Sequence, residues 1–182
     1  MVQTAGRKQA MELSLRYYGD PVLRERSQPV DTFDGSLGEF ADALTETMQR
    51  ERGIGLAAPQ VGKSIRALVA LQMTAPDDDA AAPVVVVNPV VRSRSKETWE
   101  FEEGCLSIPG VTGDVIRSER IELEYQDVEG GHHNLTAEGM FARILLHEID
   151  HLDGRLFIDY LSPANKSLLK PRLREIAEQH RS

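Results

Sequence analysis

Leu145-Leu146-His147-Glu148-Ile149-Asp150-His151-Leu152-Asp153-Gly154 is the stretch around which the rest of the chain is read. Met140 and Ile144 precede it at helical spacing, and His147 and His151 continue the same stripe, so the pattern predicts a helix with both imidazoles facing inward. Residues four apart on a helix stand one above the other, and two imidazoles so placed suit a single divalent metal. Glu148 lies one residue round, close enough to act on a water at that metal without ligating it. A solvated helix face would also carry His and Glu, so the motif acquires chemical meaning only with a third ligand from elsewhere.

Three sources of that ligand are open. Extended zinc-protease motifs place a third histidine six residues after the second, behind a glycine; here Gly154 is present but the ligand position holds Phe157. A glutamate on a following helix is another source, for which Glu175 and Glu178 are candidates without a specific signal. Cys105 is the better donor, because a thiolate with two imidazoles leaves one tetrahedral position free for water, and Gly104 before it removes side-chain bulk. The competing role for Cys105 is that of a nucleophile, with one histidine as its base and Glu148 as the orienting group.

The chain of 182 residues, 41% hydrophobic and 27% charged, has the size and composition of one globular domain. One cysteine excludes an internal disulfide. No apolar run approaches the roughly 20 residues of a membrane span, and Arg7 and Lys8 are followed by no apolar core of a secretory signal, so a cytoplasmic location is expected. A net charge of -8 argues against general nucleic-acid binding. The tail from 162 to 182 runs the other way, with Lys166, Lys170, Arg172, Arg174 and Arg181 against Glu175 and Glu178, and is a candidate for docking on an anionic partner such as the ribosome.

In chain order, residues 1–10 are polar and patternless and are expected to be a loosely ordered extension, with Met11 a plausible start of translation. Ser36-x-x-Glu39 reads as a capping box for a helix with Leu37, Phe40, Ala41, Leu44 and Met48 inward, stopping at Gly53. Gly53-Ile54-Gly55-Leu56-Ala57-Ala58-Pro59-Gln60 surrounds one amide with small residues, either as a tight turn or as a backbone that lets another molecule approach. Ile65 to Leu71 and Val84 to Val91 are strand-like runs joined by a solvated acidic loop, and Asn88-Pro89 marks a bend or an edge. Ile121 to Tyr125 alternates as a half-exposed strand; His132 and His133 are expected on the surface. Thr136 is expected to cap the helix of the opening motif, and Ser162-Pro163 to start a last helix with Leu168, Leu169, Leu173, Ile176 and Ala177 on its apolar side. The sum is one α+β domain spanning 1–182: antiparallel or mixed sheets around a central metal-binding helix, with one helix in the N-terminal half and one at the C-terminus.

Three motifs in order, Gly53-Ile54-Gly55-Leu56-Ala57-Ala58-Pro59-Gln60, Glu103-Gly104-Cys105-Leu106-Ser107 and His147-Glu148-Ile149-Asp150-His151-Leu152-Asp153-Gly154, closely resemble those of the peptide deformylases. The likeness runs from about Asp20 to Leu161. It implies Cys105, His147 and His151 as metal ligands, Glu148 as general base and then acid, and Gln60 with the Leu106 backbone N–H as donors to the formyl oxygen. It also implies one divalent ion, Fe²⁺ in the first place and Zn²⁺, Ni²⁺ or Co²⁺ as substitutes. The reaction implied is hydrolysis of the formyl group from formyl-methionyl nascent polypeptides. A monomer is expected.

Met140, Ile144 and Ile54 are placed to wall a methionine-sized pocket, with Arg143 flanking it by its aliphatic stem, and Gly53, Gly55 and Gly104 close to the substrate backbone. The chain departs from many bacterial members at Thr112, where they carry an arginine that holds the peptide backbone. Arg117, where the family often has a buried arginine, is expected to pair with Glu103 behind the cysteine loop. The alternatives are another metallohydrolase, such as a zinc peptidase or amidase, and a non-catalytic ribosome-associated metal-binding module.

Overall fold

A computed structural model describes residues 11–181, so the expectation for residues 1–10 lies outside the described residues. In chain order the elements are helix α1 (Gly35–Arg50), strands β1 (Gly55–Ala57), β2 (Ala67–Leu71), β3 (Pro83–Arg94), β4 (Thr98–Cys105), β5 (Ile108–Ser118), β6 (Arg120–Gln126) and β7 (His132–Glu138), helix α2 (Gly139–Leu152) and helix α3 (Pro163–Gln179). Every strand ladder is antiparallel, in a five-stranded sheet ordered β1-β2-β3-β6-β7 and a separate β4-β5 hairpin. The α+β class holds.

Strand β2 shows why the sheet lies at the centre. Successive side chains of a strand point to opposite faces; Ala67 and Val69 join the cluster of Phe40, Leu44 and Met48 from α1, while Leu68 and Ala70 join Met140, Ile144, Leu145 and Ile149 from α2. A helix therefore covers each face of the sheet, and four consecutive residues of β2 are buried. A third cluster forms where Ile108, Val111 and Val115 of β5 meet Leu156 to Leu161 and Leu173 and Ile176 of α3. Cys105 packs at the edge of that cluster, so the cysteine loop is held between α2 and α3.

The elements match the sequence pattern in type and depart from it at their ends. Helix α1 is capped by Asp34, whose Oδ1 accepts from Ser36 N at 2.9 Å, and not by Ser36. Thr136 belongs to β7 and caps nothing; α2 starts after Glu138 with no side-chain cap. Gly154 does end α2: its φ of +71° suits glycine, and a Cβ there would lie 2.5 Å from Arg24 O. Asn88 is a bulge within the sheet and not an edge, with φ +50° and a register shift between Val87 and Val90. Its side chain accepts from Val30 N and donates to Val30 O and Gln126 Oε1. On α3 only Leu173 and Ile176 are buried, and Leu168 is 78% exposed, so the apolar side is narrower than the sequence pattern indicates. No helix among the described residues is long and apolar enough to cross a membrane.

Candidate active site

Helix α2 enters the core with twelve of its residues buried; it brings His147 into one wall of a cleft of about 870 Å³ and His151 just behind that wall. The cysteine loop forms the facing wall. Cys105 is the last residue of β4, and Leu106 and Ser107 turn the chain into β5. The ligand atoms of Cys105, His147 and His151 all lie within 4.8 Å of one another, and Cys105 Sγ is 3.4 Å from His151 Nε2. Sulfur and imidazole nitrogen on one tetrahedral ion would stand about 3.6 Å apart from ordinary bond lengths. The donor set therefore fits a divalent metal in both chemistry and spacing.

The histidines are prepared differently. His147 Nδ1 is 2.9 Å from Glu103 Oε2, which fixes the ring plane and leaves Nε2 free to meet a metal. Burial opposes charge on His147, but Cys105, Glu103 and Glu148 outweigh it and hold its pKa well above the ordinary value. His151 is pushed well below its ordinary value by burial and by the positive groups His147 and Arg117. Its environment thus favours the uncharged ring. Its Nδ1 is buried without a hydrogen-bond partner among the described residues.

Glu148 is 4% exposed, and its Oε2 likewise has no partner among the described residues. Burial is the main cause that raises its pKa to about 7, with Glu103 and Asp150 adding to it and His147 and Arg117 opposing. Gln60, almost fully buried, is oriented by Ala57 N, which donates to its Oε1 at 2.8 Å. The amide nitrogen is thereby turned toward Cys105 Sγ at 3.5 Å and Ser107 Oγ at 3.2 Å. Backbone bonds from Arg16 N to Gln60 O and from Tyr18 N to Ser107 O fasten the N-terminal segment across these two loops.

The family model for polypeptide deformylase matches residues 13–167. The chain belongs to that family. A peptide deformylase of Thermotoga petrophila is 44% identical over 163 residues, 90% of this chain and 95% of that protein. The peptide deformylase of Picosynechococcus is 41% identical over 170 residues, covering 93% and 89%. Among solved structures, the peptide deformylase from Thermus thermophilus superposes with a TM-score of 0.84 at 41% identity, over 93% of this chain and 99% of that one. A Plasmodium falciparum peptide deformylase in complex with an inhibitor gives 0.80 at 34% identity, covering 91% and 99%. The deformylase activity is thus metal-dependent removal of the N-formyl group from nascent peptides.

Within this deformylase cleft, Gly53, Ile54, Gly55, Gln60, Gly104, Cys105, Leu106, Met140, Arg143, Ile144, His147 and Glu148 all contribute to the lining, whereas His151 lies behind it, buried. A Cβ on Gly55 would stand 2.5 Å from Glu148 Oε1 and 2.9 Å from Ile144 Cγ2. Gly104 is different: a Cβ there meets nothing closer than 3.6 Å, so no neighbouring protein atom demands glycine. Thr112 donates to Glu102 Oε2 at 3.1 Å on the exposed rim. Phe101, Val111, Leu15, Tyr17 and His180 also line the cleft and were not singled out in the sequence. Phe101 sits four residues before Cys105, and strand alternation from the cysteine would have put it on the same face. Tyr17 and His180 stack at 3.7 Å between ring centroids, a pairing of chain ends without a local signal.

Arg117 makes the expected pair with Glu103, Nε to Oε1 at 2.6 Å and Nη2 to Oε2 at 2.9 Å, and also binds Asp150 Oδ2 at 2.8 Å. Burial pushes the Glu103 carboxyl up, but hydrogen bonds from Arg117 and His147 outweigh it and bring the pKa down to about 2. Arg143 binds the same carboxylate, with Nη1 donating to Glu103 Oε1 at 2.6 Å.

Proposed function

We propose that this deformylase holds one divalent ion through Cys105, His147 and His151 and uses Glu148 as its proton carrier; the observation that carries the reading is the meeting of a thiolate, two imidazoles and an unpartnered buried carboxylate oxygen in one cleft. When bound, the ion acts as a Lewis acid on the formyl oxygen and makes water a better nucleophile. Glu148 takes the proton of the attacking water and delivers it to the amine as the C–N bond breaks, leaving formate and a free N-terminal methionine. The Gln60 amide and the Leu106 N–H donate to the formyl oxygen as negative charge develops there. The methionine side chain lies against Ile54, Phe101, Met140, Ile144 and the stem of Arg143. Its peptide backbone pairs with the chain at Gly53 to Gly55 and passes Gly104.

The physiological ion is Fe²⁺ in this reading, with Zn²⁺, Ni²⁺ or Co²⁺ replacing it, since selection in the cell follows availability as well as affinity. Anaerobic purification followed by metal analysis and an activity assay with each ion tests this. One equivalent of iron with highest turnover is expected, and an iron-free, fully active enzyme would overturn it. Cys105→Ala, His147→Ala and His151→Ala should each abolish stoichiometric metal binding.

The enzyme acts as a cytoplasmic monomer, and the exposed Lys170, Arg174 and Arg181 of the C-terminal segment offer contacts to ribosomal RNA. Because Leu173 and Ile176 of α3 are core residues, removal of the tail would damage the fold; a triple change of those three cations to glutamate isolates the charge. Ribosome co-sedimentation should fall while hydrolysis of a free formyl-peptide is unchanged.

A further inference from the structure

Arg143 stands on α2 one turn before His147, in the wall of the cleft, and is 2% exposed. A cation in a pocket for an apolar side chain is costly unless it is engaged elsewhere; Arg143 is engaged at both terminal nitrogens, while its Nε has no hydrogen-bond partner among the described residues. Its Nη1 donates to Glu103 Oε1 at 2.6 Å and to Val115 O at 2.9 Å, and Nη2 donates to Trp99 O at 2.7 Å. The guanidinium carbon lies 4.5 Å from the Trp99 ring centroid and 5.7 Å from that of Phe101, which also lines the cleft. One side chain of α2 therefore grips β4 at Trp99 and Glu103 and β5 at Val115. The hairpin it grips ends in Cys105.

Glu103 is the junction. One of its oxygens takes both arginines, Arg117 and Arg143, and the other takes Arg117 and His147 Nδ1. Arg117 comes from β5 and reaches past Glu103 to Asp150 on α2, so it braces the hairpin from one side. Arg143 closes it from the side of the substrate pocket. Arg117 grips both carboxylate oxygens as a fork; Arg143 adds a second guanidinium at Oε1, so the carboxylate is held between two cations and Oε2 is the oxygen that meets His147.

We infer that Arg143 is a positioning residue for the metal centre, acting through Glu103 on the His147 ring and through β4 on Cys105, rather than only a wall of the methionine pocket. The inference rests on the ligand set proposed above. Partners that orient a ligating histidine typically change metal affinity 10- to 100-fold when removed. A simple pocket wall would alter the Michaelis constant for methionyl substrates and leave the metal alone.

The test is Co²⁺ titration of metal-free protein against a competing chelator, with the visible cobalt spectrum and the thiolate-to-cobalt band recorded for each variant. Arg143→Met keeps the bulk of the pocket wall without charge, and Arg143→Lys keeps a charge that reaches Glu103. The expected result is a Co²⁺ dissociation constant raised about 10- to 100-fold in Arg143→Met, a shifted cobalt spectrum, and recovery of most of the affinity in Arg143→Lys. Parent-like affinity and spectrum in Arg143→Met overturn the inference, as does an Arg143→Lys as impaired as Arg143→Met. If circular dichroism shows that Arg143→Met does not fold, Arg143→Gln takes its place with the same two outcomes. Cys105→Ala is the control for the underlying reading: if it kept the parent's cobalt affinity, the ligand set itself would be refuted, separately from any result at Arg143.

Discussion

Gly55 stands where any side chain would strike the proposed base, since its Cβ would lie 2.5 Å from Glu148 Oε1. Gly55→Ala should therefore lower kcat for a formyl-methionyl peptide at least tenfold by displacing Glu148. Gly104→Ala, whose Cβ meets only ordinary contacts, should leave thermal stability unchanged and act only through the substrate's Michaelis constant. Steady-state kinetics and a melting curve on the two variants check the contrast; equal effects on kcat would contradict it. At this scale most of the site was legible. The candidate residues Cys105, His147, Glu148 and His151 announce themselves by residue type and spacing, and Gln60 only through the resemblance to the deformylases. Arg143 did not, because a helical arginine beside apolar residues looks the same whether its head turns to solvent or to a buried carboxylate. Only the approach of Glu103 from another element decides that.

The elements followed their hydrophobic periods, and their ends were set by contacts that the periods do not carry. Ser36 and Glu39 match a capping box in spacing, yet Asp34 two residues earlier takes the cap because its carboxylate reaches Ser36 N and Ser36 Oγ. Asp34→Ala should cost about 1 kcal/mol of stability, and Ser36→Ala less than half of that, by chemical denaturation. The reverse order would restore the capping box. Thr136 likewise fits a cap in sequence, but pairing with Glu122 across β6 and β7 keeps it in the sheet. The strictly apolar β2 gave no alternation to read because helices cover both of its faces. On α3, packing against Leu156 to Leu161 selects Leu173 and Ile176 and leaves Leu168 outside.

For the whole molecule, one buried ionic junction joins α2 to the β4-β5 hairpin, and its charge state governs stability in acid. Glu103 has a folded pKa of about 2 against an ordinary 4.5. A depressed carboxyl contributes stability in full above the ordinary value and loses it as the pH falls through the folded one. Metal-free protein should thus lose stability relative to Glu103→Gln between about pH 5 and pH 2, so that the gap between the two in urea midpoint is widest near neutrality and narrows in acid. A gap independent of pH would place the role of Glu103 elsewhere. In the proposed reaction Glu148 moves the proton of formyl hydrolysis at a metal centre it does not help to bind. The most direct measurement is formate release from formyl-Met-Ala-Ser, with acetyl-Met-Ala-Ser as comparison, by parent and Glu148→Ala enzymes of known metal content. The account predicts one metal per chain in both proteins, preference for the formyl peptide, and a loss of roughly a hundred- to ten-thousand-fold in kcat for Glu148→Ala; a metal-replete Glu148→Ala enzyme with parent turnover would contradict it.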